Sequence, residues 1–203
     1  MFPSSSQVTE PHLEPVGMSE FQCMEFAAVL ENEIFFAAED QDIEEDSFRR
    51  MNKCLSRMIR NKNHQFLVAD QGLVFENGPV DQAPFDRRFS IEMYGTTECA
   101  RGVAVVIRFF SEGCWHVVRC TQEGSRKKVE ASSEQVPDYV PDSCNDAVFF
   151  LQAVEGQSNK FMFESSRWRC WFLAFSAEGG FYKLVLQPRA DEVDERQLFT
   201  LEK

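Results

Sequence analysis

Ile43-Glu44-Glu45-Asp46-Ser47 carries the most specific chemistry in this chain, and it is the chemistry of a substrate. A protease that cuts after aspartate needs that carboxylate in an extended, accessible segment. Here a hydrophobic residue stands three before Asp46, a glutamate two before it and a small residue just after, the arrangement that caspase subsites favour. Asp42 competes but is followed by β-branched Ile43, and Asp40 is followed by Gln41. The residue types that catalyse are scattered instead. His12, His64 and His116 form no HExxH and no His/Cys cluster at zinc spacing. The chain has no Walker loop, no GxGxxG after a strand and no GxSxG elbow. Asp191-Glu192, Asp194 and Glu195 lack the glycine and spacing of a calcium loop and read as solvated acids. Arg126-Lys127-Lys128 reads as a solvated turn or strand start, with contact to an acidic partner as the alternative.

The charge pattern turns at the same aspartate. Residues 1–46 hold 12 acids and no Lys or Arg, which equals the whole formal net charge of −12; beyond them the remaining acids balance all 21 bases. From Ser47 to Ala69 there is no acid, while Arg49, Arg50, Lys53, Arg57, Arg60 and Lys62 are all basic. A polyacidic leader against a basic leading strand is what a removable, charge-masking propeptide looks like. On charge alone a disordered acidic tail fits equally. The net charge argues against a general nucleic-acid or heparin grip, which needs a basic footprint.

Two hundred and three residues allow one domain and an appendage. Residues 47–203 suffice to bury about two-thirds of their unfolded surface and stand alone. The N-terminus lacks the basic start and apolar core of a signal peptide, and no apolar run approaches a membrane span. No Asn begins a glycosylation sequon. Seven Cys is odd and none has CxxC spacing; Cys114 and Cys120 share a strand face, and a reduced packing role is the reading for the cysteines. The chain reads as made in the cytosol.

Certain elements must position these residues. Residues 1–20 are polar and read as flexible. In 21–38, Phe21, Met24, Ala28 and Phe35 suit a helical face, while Ile34-Phe35-Phe36-Ala37-Ala38 fits a strand. This apolar stretch reads as a docking segment, with its own domain the nearest surface; 39–46 reads as an exposed cleavage linker. Beyond it eleven short strands are expected: 65–70, 72–77, 87–94, 102–110, 114–121, 127–132, 146–154, 160–165, 171–176, 180–187 and 197–202. Gln71-Gly72, Glu112-Gly113 and Glu178-Gly179-Gly180 read as hairpin turns. So many short strands mean a closed barrel or a sandwich. Hairpins at 66–75, 105–120 and 171–186 hint at repetition, with spacing too uneven to establish threefold symmetry.

An ordered set of short matches gives a resemblance. It runs through Phe36-Ala37-Ala38-Glu39-Asp40, Ile59-Arg60-Asn61, Asp70-Gln71-Gly72, Phe75-Glu76 and Met93-Tyr94. It continues through Arg101-Gly102-Val103-Ala104-Val105, Phe149-Phe150, Asn159-Lys160-Phe161-Met162-Phe163-Glu164-Ser165-Ser166 and Phe172-Leu173-Ala174. Lys183-Leu184-Val185-Leu186 and Phe199-Thr200 complete it. In these residues the chain resembles the interleukin-1 family. The resemblance implies an all-β fold, a β-trefoil of about twelve short strands after an acidic propeptide. It implies a leaderless proinflammatory cytokine, kept inactive in the cytoplasm, cleaved by a caspase-1-type protease after Asp46 and then secreted. The mature monomer would bind a heterodimeric pair of immunoglobulin-like receptor chains, triggering inflammatory and interferon-γ-inducing signalling, and a soluble binding protein would antagonise it. No cofactor, metal, nucleic acid or membrane insertion is implied.

The scissile bond is then Asp46–Ser47, recognised through Ile43, Glu44 and Glu45. Arg49, Arg50, Lys53, Arg57, Arg60, Lys62 and His64 are the receptor-contact candidates. Two residues depart from the family pattern: Glu45, where a small or polar residue is usual, and His64, where an acid is usual. The alternative from another class is an intracellular β-trefoil interaction module whose acidic arm is permanent. A small-substrate enzyme has no catalytic constellation to support it.

Overall fold

The computed structural model describes residues 24–30, 33–38, 47–69, 72–78, 87–141, 144–157, 159–190 and 194–203, the first two stretches as backbone. The leader contributes β1 (Met24–Leu30) and β2 (Glu33–Ala38), an antiparallel pair. The rest falls into thirds of four strands each. The first holds β3 (Phe48–Arg60), β4 (Phe66–Ala69), β5 (Leu73–Glu76) and β6 (Phe89–Thr96). The second holds β7 (Val103–Ser111), β8 (Cys114–Glu123), β9 (Arg126–Ser132) and, after the two-residue β10 (Tyr139–Val140), β11 (Val148–Ala153). The third holds β12 (Phe161–Ser165), β13 (Trp171–Glu178), β14 (Phe181–Pro188) and β15 (Thr200–Glu202).

The first and last strand of each third close a ring. β3 pairs β6, β6 pairs β7, β7 pairs β11 and β11 pairs β12. A bridge between Phe161 and Phe199 then leads to β15, which returns to β3. The middle strands form three hairpins, β4–β5, β8–β9 and β13–β14, and each is entered from its barrel strand. This is the β-trefoil, with the twelve strands the resemblance implies. The threefold plan corrects the sequence reading of the middle repeat. The hairpin at 105–120 joins a barrel strand to a cap strand, and the true counterpart of the other two is 114–132.

Closure serves burial. Alternate residues of all six barrel strands point into one core, joined by the inward faces of the hairpins. Phe75, Phe89, Phe149, Phe161, Phe163, Phe175 and Phe199 are each at most 2 % exposed, and Phe75 stacks on Phe199 at 5.9 Å. Each such ring contributes about 1.5–3 kcal/mol on burial. A second cluster forms on the outside of the barrel, where the 133–147 segment covers Phe48, Tyr94, Val106, Val148 and Phe150.

All eleven expected strands are present within a few residues of their expected limits. Of the twelve trefoil strands, the one missing from that set is β3; the two-residue β10 is a further addition. β3 is 13 residues long, yet outward side chains dominate its middle, and its register against β6 shifts between Arg50 and Cys54. Three residues of β3 there oppose one of β6, so no period of two survives for a sequence pattern to show. The helical face expected from Met24 and Ala28 is also overturned, because both lie on β1, in a hairpin with β2. That hairpin's first strand runs alongside β11 and the short 3-10 turn Cys99–Arg101. The turns are as expected at Glu178-Gly179-Gly180-Phe181. Gly179 and Gly180 sit at φ 61° and 85° between the paired Glu178 and Phe181, a two-residue turn that side chains resist.

Candidate processing and receptor site

Asp46 and its expected recognition residues Ile43, Glu44 and Glu45 lie outside the described residues, as do residues 1–23. Ser47 is described, and it is 1 % exposed; Phe48 is 0 % exposed. Both edges of this stretch are occupied. Phe48 and Arg49 pair with Val140 and Tyr139 of β10 on one side. On the other side, Phe48, Arg49 and Arg50 pair with Thr96, Gly95 and Tyr94 of β6. The Phe48 ring lies 6.0 Å from Phe150, tilted by 57°. The Tyr94 hydroxyl donates to the Pro137 carbonyl at 3.2 Å and fastens the covering segment. Burial raises the Tyr94 pKa, with partial relief from the Arg50 charge.

Immediately downstream, Met51, Asn52 and Lys53 form the β3 bulge and are exposed. The bulge opens a pocket of about 390 Å³, walled by Arg49 to Cys54 on one side and by Glu92, Asp138 and Tyr139 on the other. Arg50 is the fixed member. Its Nη2 lies 2.7 Å from Glu92 Oε1 and its Nη1 donates to Asp138 Oδ1 at 3.1 Å. Burial pulls its pKa down, but Asp138 and Glu92 outweigh burial and leave it above the usual guanidinium value. Glu92 accepts a second time, from Arg108 Nη1 at 2.6 Å. A carboxylate buried to 7 % exposure is thus held between two guanidinium groups, the pairing such burial requires. Arg49 and Lys53 are exposed and, among the described residues, have no acid within ion-pair distance. Beside them Met51 and Tyr139 are 40 % and 42 % exposed.

The other candidates lie at the far end of β3. Arg57 is half-buried and its Nη1 donates to the Ser56 carbonyl. Arg60 Nε lies 2.5 Å from Glu202 Oε1 on β15, and its Nη1 meets His64 Nδ1. Lys62 Nζ donates to Glu195 Oε2 at 2.5 Å. Asn61 organises this corner: it is 1 % exposed, and its Oδ1 accepts from the backbone N–H of Asn63 and Gln65, each at 3.0 Å. His64 completes the turn at φ 62°. At about 3.3 Å per residue, and allowing for the bulge, Arg50 and Arg60 stand roughly 30 Å apart. The structure therefore divides the basic strip in two. Arg49, Arg50 and Lys53 gather at the pocket; Arg60, Lys62 and His64 gather at the barrel's closing seam, where acids of the same domain balance Arg60 and Lys62.

Sequence reasoning missed six pocket residues: Met51, Asn52, Cys54, Glu92, Asp138 and Tyr139. Glu92 sits at a polar position of the alternating strand 87–94, so its burial could not be read from the sequence. Asp138 and Tyr139 left no signal, because only folding brings the 133–147 segment to β3. Among the described residues, no three His, Cys, Asp or Glu converge as metal ligands. Among the same residues, no helix is long and apolar enough to cross a membrane.

A family model described as "Interleukin-1 / 18" matches residues 81–198. Over 202 residues the chain is 35 % identical to interleukin-18 of Homo sapiens, covering 93 % of this chain and 97 % of the relative. Interleukin-18 of Capra hircus is 34 % identical over 197 residues, covering 93 % and 97 %. Among solved structures, chicken interleukin-1β superposes with a TM-score of 0.58 at 17 % identity, covering 77 % of this chain and 99 % of that one. Interleukin-36α gives 0.51 at 18 % identity, covering 75 % and 96 %. At such identity these two speak for the fold alone. The class is that of β-trefoil cytokines, signalling proteins and not enzymes. The chain belongs to the interleukin-1/interleukin-18 family.

Proposed function

We propose that the chain is the latent precursor of a receptor-binding cytokine, cut by a caspase-1-type protease between Asp46 and Ser47. The released 47–203 domain, a monomer, leaves the cell without a signal peptide and engages two immunoglobulin-like receptor chains, with a soluble binding protein as antagonist. The observation that carries this reading is the pocket at the start of β3. It sets exposed bases, Arg49 and Lys53, which face no acid among the described residues, beside exposed Met51 and Tyr139, directly downstream of the bond to be cut. Arginine and aromatic anchors dominate the energetics of protein interfaces, and rim charges raise the on-rate.

Latency follows from tethering. The leader's hairpin runs alongside β11, and a covalent link holds it there at high effective concentration. Cutting at Asp46 releases it to bulk solution. Charge masking plays a smaller part than the sequence alone suggests, because Arg50, Arg60 and Lys62 already face acids of their own domain. Of these, the exposed pair of Lys62 with Glu195 is worth about 0–1 kcal/mol.

One observation favours the alternative, an intracellular module with a permanent acidic arm: the burial of Ser47 and Phe48 withdraws the downstream side of the bond from a protease. Digestion with caspase-1 followed by intact mass spectrometry separates the two readings. A product starting at Ser47, absent from Asp46→Ala, supports the precursor. In surface plasmon resonance on receptor chains, 47–203 should bind far more tightly than the full chain, and Lys53→Glu should weaken it. Equal binding by both forms refutes latency.

A further inference from the structure

Cys114 lies outside the processing and receptor site, and it is no packing residue. The sequence reading placed it with Cys120 on one strand face as a reduced core cysteine. Cys120 fits: it is buried, and burial raises its thiol pKa far above the usual range. Cys114 is exposed at the tip of the β7–β8 hairpin, just past the turn Glu112-Gly113, whose residues sit at φ 50° and 81°. Residues two apart on a strand face the same way, so Cys114 and His116 share a face. The Cys114 sulfur lies 3.1 Å from His116 Nε2.

The imidazole is held in place. His116 is paired with Phe109 across the hairpin, and the two rings stack at 5.2 Å and 16°. Phe109 is itself anchored in the core at 4 % exposure and meets Phe89 edge-on at 5.6 Å. The base is therefore oriented by the fold and not merely nearby, while the thiol beside it faces solvent. The Ser111 carbonyl, 3.7 Å from the sulfur, adds a weak second acceptor. Other exposed cysteines offer contrast. Cys54 faces the Ser90 hydroxyl at 2.9 Å, a far weaker base than imidazole.

We propose that Cys114 and His116 form a nucleophile–base pair, an exposed modification site for hydroperoxides. Thiolate sulfur is the reactive form, and a base within hydrogen-bond reach supplies it by taking the proton. The balance is simple. Nε2 takes the thiol proton as sulfur attacks one peroxide oxygen; the S–O bond forms and the O–O bond breaks. The departing hydroxide takes the proton back from the imidazolium and leaves as water. Sulfur is oxidised to the sulfenic acid and the peroxide is reduced. The exposed pair Phe110 and Trp115, ring centroids 5.6 Å apart, lies on the opposite face of the same hairpin.

The full chain is exposed to substoichiometric hydrogen peroxide with dimedone present to trap sulfenic acid, and each cysteine's adduct is quantified by peptide mass spectrometry. An unassisted thiol is only a few per cent ionised near neutrality, so base assistance leaves room for roughly tenfold more adduct on Cys114 than on Cys54. His116→Phe keeps a ring stacked on Phe109 while removing the base, and His116→Gln removes both. Each should bring Cys114 down to the level of Cys54, with circular dichroism confirming the fold. Equal labelling of the two cysteines in the unmodified chain overturns the proposal. So does labelling of Cys114 that survives both substitutions.

Discussion

If the Asp46–Ser47 bond is the one cut, Phe48 should set the rate. A protease must draw several residues on both sides of the bond into an extended conformation, and here the first two downstream residues are fully enclosed. Phe48 is 0 % exposed, packs on Phe150 and is paired on both edges. Cleavage of the folded precursor must then pass through a local opening that strips Ser47 and Phe48 from the sheet. Burial of one phenylalanine is worth about 1.5–3 kcal/mol. Phe48→Ala removes that share of the opening cost, and at about 1.4 kcal/mol per factor of ten the gain in kcat/KM is roughly ten- to a hundredfold. Caspase-1 digestion of the folded chain, followed by gel densitometry, measures it. A synthetic peptide spanning 39–52, with and without the substitution, reports the subsite effect alone. Because a Phe→Ala change in a core costs about 3–5 kcal/mol overall, a second variant is needed, Phe175→Leu, which weakens the main core far from β3. Cleavage faster in Phe48→Ala but not in Phe175→Leu supports the gate. If Phe48→Ala is cut no faster than the unmodified chain once the peptide effect is removed, the reasoning fails.

Amides of 24–30 and 33–38 should exchange with deuterium more slowly than those of 1–17 in the full chain, since these two strands pair with each other and run beside β11; exchange at equal rates denies the docked hairpin. Arg60→Glu should lower domain stability by roughly 1–3 kcal/mol, because it sets a second carboxylate against half-buried Glu202 at the barrel's closing seam. A chemical-denaturation midpoint unchanged from the parent would contradict that, and a loss of receptor binding by this variant must be corrected for it.

Much was legible along the chain. The charge boundary at Asp46 is written in residue types, and so is the substrate-like string before it. Strands with clean alternation of residue type, such as 87–94, announce themselves by the period of two, although the fold also buries Glu92 and Tyr94 on the second face. Turns built on paired glycines do so because tight turns demand positive φ. β3 escaped because its bulge breaks the period of two and its outward face carries the very bases that drew attention as charge. The leader's helical pattern misled for the opposite reason. Spacing in a short apolar stretch fits both periods, and pairing between 24–30 and 33–38 decided it.

The site was legible only in part. The sequence determined by itself which residues carry charge, where the charge balance turns and which family motifs recur, since these are properties of residues in order. It determined that residues 65–202 are a run of short strands, because the hydrophobic period is local. Tertiary structure alone decided how those residues are used. The six bases form no single strip, because an extended strand separates its ends by about 3.3 Å per residue and the barrel brings a different set of acids to each end. Ser47 reads as a small, accessible residue but is enclosed, because β10 and β6 cover both edges of β3 from sequence positions far away. Cys114 and Cys120 share a strand face yet meet solvent and core respectively, since a hairpin tip projects beyond the barrel that buries its base. Burial and partnership depend on contacts between distant segments, and those exist only once the ring has closed.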